Sequence, residues 1–152
     1  MAVRNIRNYK DITNILRKKS RTVNEIDEKI IRMFEDMTET MYLNKGIGLA
    51  APQVGILKRL VVIDIGTGLL KLVNPVIVQT IGEKVEEEGC LSIPGIFGDV
   101  IRPQKVCIRA QNERGKLIEL EGIDFLARVF CHEIDHLDGT LFIDKMVSKV
   151  TN

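Results

Sequence analysis

The sequence predicts an α+β fold in which antiparallel β-sheets pack around one buried helix, and three observations lead there. An amphipathic helical pattern stands near the N-terminus, and a more apolar one lies close to the C-terminus. Between them run short β-branched or alternating segments, separated by Gly, Pro and Asn. No helical pattern divides these segments, and parallel strands need a crossover of about a dozen residues or more, so consecutive strands pair antiparallel. With 152 residues, 45% of them hydrophobic, residues 1–152 are expected to form a single domain around one core.

From Asn24 to Tyr42 the residues Ile26, Ile30, Phe34, Met37 and Met41 recur at helical spacing, which predicts the first helix. Thr22-Val23-Asn24-Glu25 reads as its capping box and Gly46 as its stop. Its methionines are expected to fill core. Gly46 to Gly55 breaks both periodicities while staying small and apolar, as a tightly packed loop does. Strands are predicted over Leu60 to Ile65, Lys71 to Val73, Val76 to Thr80, Lys84 to Glu88, Val106 to Ala110 and Lys116 to Leu120. Asn112-Glu113-Arg114-Gly115 joins the last two as a hairpin. The last helix is predicted from Ile123 to Leu137, stopping at Asp138-Gly139. It carries one stripe of Ile123, Leu126, Ala127, Phe130, Ile134 and Leu137, and another of Phe125, Val129, His132 and His136, so both faces are buried.

Charge and composition narrow the function. Lys and Arg number 22 against 21 Asp and Glu, which leaves no net field for nucleic acid and no acidic excess of the kind that opposes folding. No stretch approaches the ~18 apolar residues of a membrane span, and no apolar signal region follows Met1-Ala2-Val3-Arg4-Asn5. A cytoplasmic protein without membrane or direct nucleic-acid contacts is expected. The cysteines Cys90, Cys107 and Cys131 are odd in number, which argues against a disulfide framework and for packing, metal binding or catalysis.

His132 and His136 are the only histidines, placed at i and i+4 within His132-Glu133-Ile134-Asp135-His136 on the apolar helix. Imidazoles at that spacing can bind one cation, and Glu133 can reach a water beside it as general base. Two unliganded histidines on a buried helix would each need hydrogen-bond partners for their polar nitrogens, which makes plain core packing the weaker reading. A catalytic site of this kind wants a third protein ligand and one open position. Downstream, Asp144 is the competitor; upstream, Cys90 stands where a strand turns, beside Gly89. Cys107 lies within a strand, and Cys131 points about 100° around the helix from His132, so both read as packing. Asp135 fits either a partner of the metal ligands or a surface acid.

Three segments together resemble the peptide deformylase family: Gly46-Ile47-Gly48-Leu49-Ala50-Ala51-Pro52-Gln53, Glu88-Gly89-Cys90-Leu91-Ser92, and His132-Glu133-Ile134-Asp135-His136. The resemblance spans the chain from the first helix to the end. It implies a single catalytic domain that removes the formyl group from the N-terminal formyl-methionine of nascent polypeptides, releasing formate. It implies Cys90, His132 and His136 as metal ligands, Glu133 as acid/base, and the Gln53 amide with the Leu91 backbone N–H as oxyanion donors. It also implies a methionine slot lined by Ile47, Phe125 and Val129 beside His132, with Gly48 and Gly89 letting backbone crowd a formyl-sized pocket. Glu88 is expected to pair with Arg102. The cofactor implied is ferrous iron, although a thiolate and two imidazoles also suit zinc, and zinc or nickel is expected to substitute. The partners implied are N-formyl-methionyl nascent peptides, with a transient ribosome contact compatible with such substrates.

The sequence departs from the family at two places: Cys131 stands where glutamine is common, and the run after His136 to Asn152 is too short for the long C-terminal helix of some relatives, which is therefore not expected. Other chemistries remain open at this stage. An endopeptidase would use Asp144 as third ligand, a structural metal module would add Asp144 or Cys131 as a fourth, and a cysteine–histidine acyl hydrolase would leave Glu133 idle.

Overall fold

The computed structural model describes residues 2–151. An irregular N-terminal segment comes first, and its short 3-10 turn, Ile15–Arg17, buries Leu16. Helix α1 (Glu28–Leu43) presents Ile30, Phe34, Met37 and Met41 inward, as the spacing predicts. Its start differs from the expected capping box at Thr22–Glu25: Asp27 is the cap, its carboxylate accepting from the Ile30 N–H. Its stop differs too. Lys45, with φ +56°, is the left-handed residue, and the Gly46 N–H closes the end on the Met41 carbonyl.

The expected loop after α1 contains a short strand, β1 (Gly48–Ala50), followed by a 3-10 turn over Ala51–Val54. Then come β2 (Leu60–Ile63), β3 (Leu70–Ile81), β4 (Lys84–Cys90), β5 (Ile93–Arg102), β6 (Lys105–Gln111), β7 (Leu117–Ile123), α2 (Phe125–Leu137) and β8 (Met146–Thr151). The two segments expected around Asn74-Pro75 are one strand, β3. It continues through an irregularity where Asn74 takes φ +52° and its side chain bonds both the N–H and the carbonyl of Val23. Strands β5 and β8 were not foreseen, because Pro94 and the glycines of β5 masked its alternation. Ile123, expected in the last helix, is the end of β7 and 57% exposed.

All strand pairs are antiparallel. Five strands pair in the order β1-β2-β3-β6-β7, and three in the order β4-β5-β8. The helices cover opposite faces of the five-stranded sheet. Val61, Ile63, Val106 and Ile108 pack with Ala127, Phe130 and Ile134 of α2, while Leu60 and Val62 pack with Phe34 and Met37 of α1. Strand β2 is therefore buried on both sides, which is why it reads as one apolar run. A third cluster, Leu16, Ile93, Val100, Leu141 and Phe142, packs the three-stranded sheet against the N-terminal segment and the turn that follows α2. The last residue of β4, the start of β1 and the inner face of α2 thereby meet at one cavity.

Candidate metal centre

The three predicted ligands arrive on two supports. His132 and His136 lie one turn apart on α2, and Cys90 closes β4 just before the turn at Leu91-Ser92. One donor atom from each of Cys90, His132 and His136 lies within 4.8 Å of the others, and the Cys90 sulfur is 3.4 Å from His136 Nε2. Among the described residues no further His, Cys, Asp or Glu joins the group. Asp144 is taken by Arg17 and the Leu141 N–H, so it is not the third ligand. Burial first of all pushes the Cys131 thiol up to about 11, leaving it a protonated packing residue. A group of three side chains that could hold a metal, beside a cavity, suits a catalytic site better than a closed structural one.

The electrostatics fit a cation. His136 is 1% exposed; burial and the neighbouring His132 push its pKa well below the usual imidazole value, so it stays neutral, the form that ligates metals. Among the described residues neither its buried Nδ1 nor the buried Glu133 Oε1 has a hydrogen-bond partner. Burial opposes charging His132, but Cys90 and Glu88 beside it hold its pKa well above the usual value. The same negative surroundings favour a bound cation. The chemistry of the donor set, a thiol and two imidazoles around one point, therefore fits a resident divalent metal.

Glu88 lies at the centre of a buried ionic network. Its Oε1 faces His132 Nδ1 at 2.9 Å and accepts from Arg102 Nη2 at 3.0 Å; its Oε2 accepts from Arg102 Nε at 2.8 Å and Arg128 Nη1 at 2.6 Å. Burial alone would raise the Glu88 pKa, but His132 and Arg102 outweigh it and hold the carboxyl well below the usual range. Arg102 also donates to Asp135, which Lys145 meets from outside. Asp135 is thus a partner of the ligand network and not a free surface acid. The sequence leaves Asp135 open between the two readings and does not point to Arg128, for which an arginine inside an apolar helix, one turn before His132, is the available signal.

A cavity of about 350 Å³ opens beside the ligands. Its walls include every expected substrate-facing residue: Ile47, Gly48, Gly89, Phe125, Val129 and His132, together with Gln53, Leu91 and Glu133. Lys45 and Phe97 line it as well and were not anticipated. Gly48 and Gly89 are small because neighbours press on them. An added Cβ would lie 2.6 Å from Glu133 Oε2 at Gly48, and 2.6 Å from the Phe97 ring at Gly89. Gln53, 1% exposed, accepts from the Ala50 N–H at its Oε1 and donates from Nε2 to Ser92 Oγ at 3.1 Å. With one Nε2–H spent on Ser92, the other is aimed toward the Cys90 sulfur, 3.5 Å away. Burial above all raises the Glu133 pKa to about 7, the range useful for taking and returning a proton.

The family model for polypeptide deformylase matches residues 3–152. The chain belongs to the polypeptide deformylase family. Over 147 residues it is 59% identical to a peptide deformylase of Caldanaerobacter subterraneus subsp. tengcongensis, covering 97% of this chain and 91% of that relative. It is 54% identical to peptide deformylase 1 of Clostridium acetobutylicum across 100% of both chains. The fold matches the crystal structure of the Thermotoga maritima peptide deformylase with a TM-score of 0.92 at 43% identity, covering 96% of this chain and 99% of that one. The deformylase match therefore runs through both sheets and both helices, not just the metal-ligand motif.

Proposed function

We propose that Cys90, His132 and His136 hold one ferrous ion, which zinc or nickel can replace, and that Glu133, Gln53 and Leu91 carry the chemistry beside it. The enzyme is a peptide deformylase and hydrolyses the N-formyl group of nascent peptides to formate. The observation that supports these roles best is the convergence of three ligand atoms within 4.8 Å at the wall of a cavity shared with Glu133. When bound, the cation supplies Lewis acidity toward the formyl oxygen and lowers the pKa of a water.

Glu133 Oε1, buried and without a hydrogen-bond partner among the described residues, takes the proton of the attacking water. As the new bond from that oxygen to the formyl carbon forms, the Gln53 Nε2–H and the Leu91 N–H donate to the developing oxyanion. Glu133 then returns the proton to the peptide nitrogen, the carbon–nitrogen bond breaks, and formate and a free amine leave. Ile47, Phe125 and Val129 hold the methionine side chain, while the crowded backbone at Gly48 and Gly89 excludes acyl groups larger than formyl. Residues 1–152 act as one catalytic domain in this reading. Among the described residues no helix is long and apolar enough to cross a membrane.

The test is formate release from formyl-Met-Ala-Ser by protein loaded anaerobically with ferrous iron, beside Glu133→Ala and the acetyl analogue. Release lost in the variant and absent with the acetyl peptide supports these roles. Release that persists in Glu133→Ala at full metal occupancy refutes the acid/base assignment.

A further inference from the structure

We infer that Arg128 is a positioning residue for the metal centre, fixing the Glu88 carboxylate so that it presents one oxygen to His132. The inference rests on the metal-ligand reading above.

Arg128 occupies an unusual place. It lies on α2 one turn before His132, is 6% exposed, and sits on a helix whose other buried positions are largely apolar. An arginine there must satisfy its donors inside the protein or forfeit hydration without compensation. It does so on two strands. Nη1 donates to Glu88 Oε2 at 2.6 Å and to the Val100 carbonyl of β5 at 3.0 Å, and Nη2 donates to the Lys84 carbonyl of β4 at 2.8 Å. Only a planar, five-donor guanidinium can span acceptors placed this way; an ammonium reaches them as a point charge.

The consequence for the site follows from the division of labour at Glu88. Arg102 grips both carboxylate oxygens and so does not by itself distinguish one from the other. Arg128 adds a second donor on Oε2 alone, which leaves Oε1 as the oxygen for His132 Nδ1. A carboxylate accepting at Nδ1 sets the tautomer, so that Nε2 of His132 is the nitrogen free to ligate. The two carbonyl bonds tie this arrangement to the backbone of β4 and β5, so the orientation of the ring on α2 is referred to the same strand that delivers Cys90. Charge supports the pairing. Glu88 and Asp135 balance Arg102 and Arg128 in the buried network, so neutralising Arg128 leaves both the carboxylate geometry and the local charge altered.

The experiment uses the full chain loaded with cobalt(II), comparing wild type with Arg128→Met and Arg128→Lys. Three quantities are read: the cobalt Kd by chelator competition, the visible spectrum of the thiolate–imidazole site, and kcat and KM for formyl-Met-Ala-Ser. The expected result for Arg128→Met is a 10- to 100-fold weaker Kd, in the range found when a partner of a metal ligand is removed, with a shifted spectrum and a reduced kcat at nearly constant KM. Arg128→Lys should fall between, and it decides the matter if the methionine variant does not fold. A folded variant that lowers only the melting temperature of the metal-free protein, with the Kd and spectrum of wild type, overturns the inference and leaves Arg128 a structural staple. Wild type that binds cobalt without a thiolate band instead defeats the metal-ligand reading itself, an outcome separate from failure of the Arg128 step.

Discussion

Gly48→Ala isolates the geometry of the proton-transfer group. A Cβ at position 48 would lie 2.6 Å from Glu133 Oε2, 3.0 Å from its Cδ and 3.1 Å from its Cγ, so the whole carboxyl end is in the way. Gly48 does not use a positive φ, hence alanine brings the steric conflict without backbone strain. Ordinary contact begins at 3.4 Å, so the carboxylate must retreat by about 0.8 Å, from a side chain only 5% exposed. Misplacing a catalytic group by roughly 1 Å costs on the order of 100-fold in rate, about 2.7 kcal/mol of barrier. We therefore expect kcat/KM for formyl-Met-Ala-Ser to fall by roughly 30- to 100-fold, with about 1–3 kcal/mol of stability lost to overpacking. The added methyl does not meet Cys90, His132 or His136 among its three nearest atoms, so metal content should stay at the wild-type level. Formate release, metal per chain and thermal unfolding are measured on the same preparation. Wild-type kcat/KM in a fully loaded variant refutes the steric reasoning, and so does a loss of activity that tracks loss of metal.

Four further outcomes are expected. Removing the metal with a chelator should abolish formate release yet leave the far-UV circular dichroism intact, because the clusters around Phe34 and Phe130 do not include the ligand set; collapse of the spectrum would contradict this. Glu88 is depressed well below its ordinary 4.5, so it stabilises the fold fully above that value and its contribution is lost as pH falls toward the folded pKa. Denaturant titrations of metal-free protein from pH 6 downward should therefore show a shallower acid loss in Glu88→Gln, and equal slopes would count against it. Asp27→Ala should cost about 1 kcal/mol through loss of the α1 cap, whereas Asn24→Ala should change stability by less than about 0.5 kcal/mol, read as urea midpoints at constant activity. Gly89→Ala, which drives a Cβ into the Phe97 ring, should raise KM more than it lowers kcat, because the ring and not Glu133 must give way; a pure kcat effect would exclude that account.

Periodicity and donor chemistry were enough for much of this molecule. Ile30, Phe34, Met37 and Met41 mark α1 by spacing alone, and the antiparallel arrangement follows from strands too close for crossovers. His132, Glu133 and His136 declare themselves because a helix places i and i+4 side by side whatever surrounds it. Boundaries were harder. The α1 cap was misplaced from Asp27 to the Thr22–Glu25 segment, since both present side-chain acceptors and only the backbone path chooses. Strand β5 escaped notice because the alternation of Ile93 to Arg102 is broken by Pro94, Gly95 and Gly98, and Gly98 is small only because Met146 and the Ser148 carbonyl of β8 press against it.

The sequence by itself determined the chemical inventory, a thiol, two imidazoles, a carboxylate and an amide, together with the apolar spacing of the two helices and the order in which these features occur. Cys90 could be preferred over Cys107 and Cys131 from local pattern, but that its sulfur lies 3.4 Å from His136 is decided by β4 ending against α2. The roles of Arg128 and Asp135, the aim of the Gln53 amide and the pressure of Glu133 on Gly48 were likewise decided only by tertiary structure. The reason is physical. Local pattern follows from the fixed geometry of helix and strand, whereas a buried hydrogen-bond network joins residues 14 to 44 positions apart and is settled only when packing has removed the water that would otherwise satisfy each group.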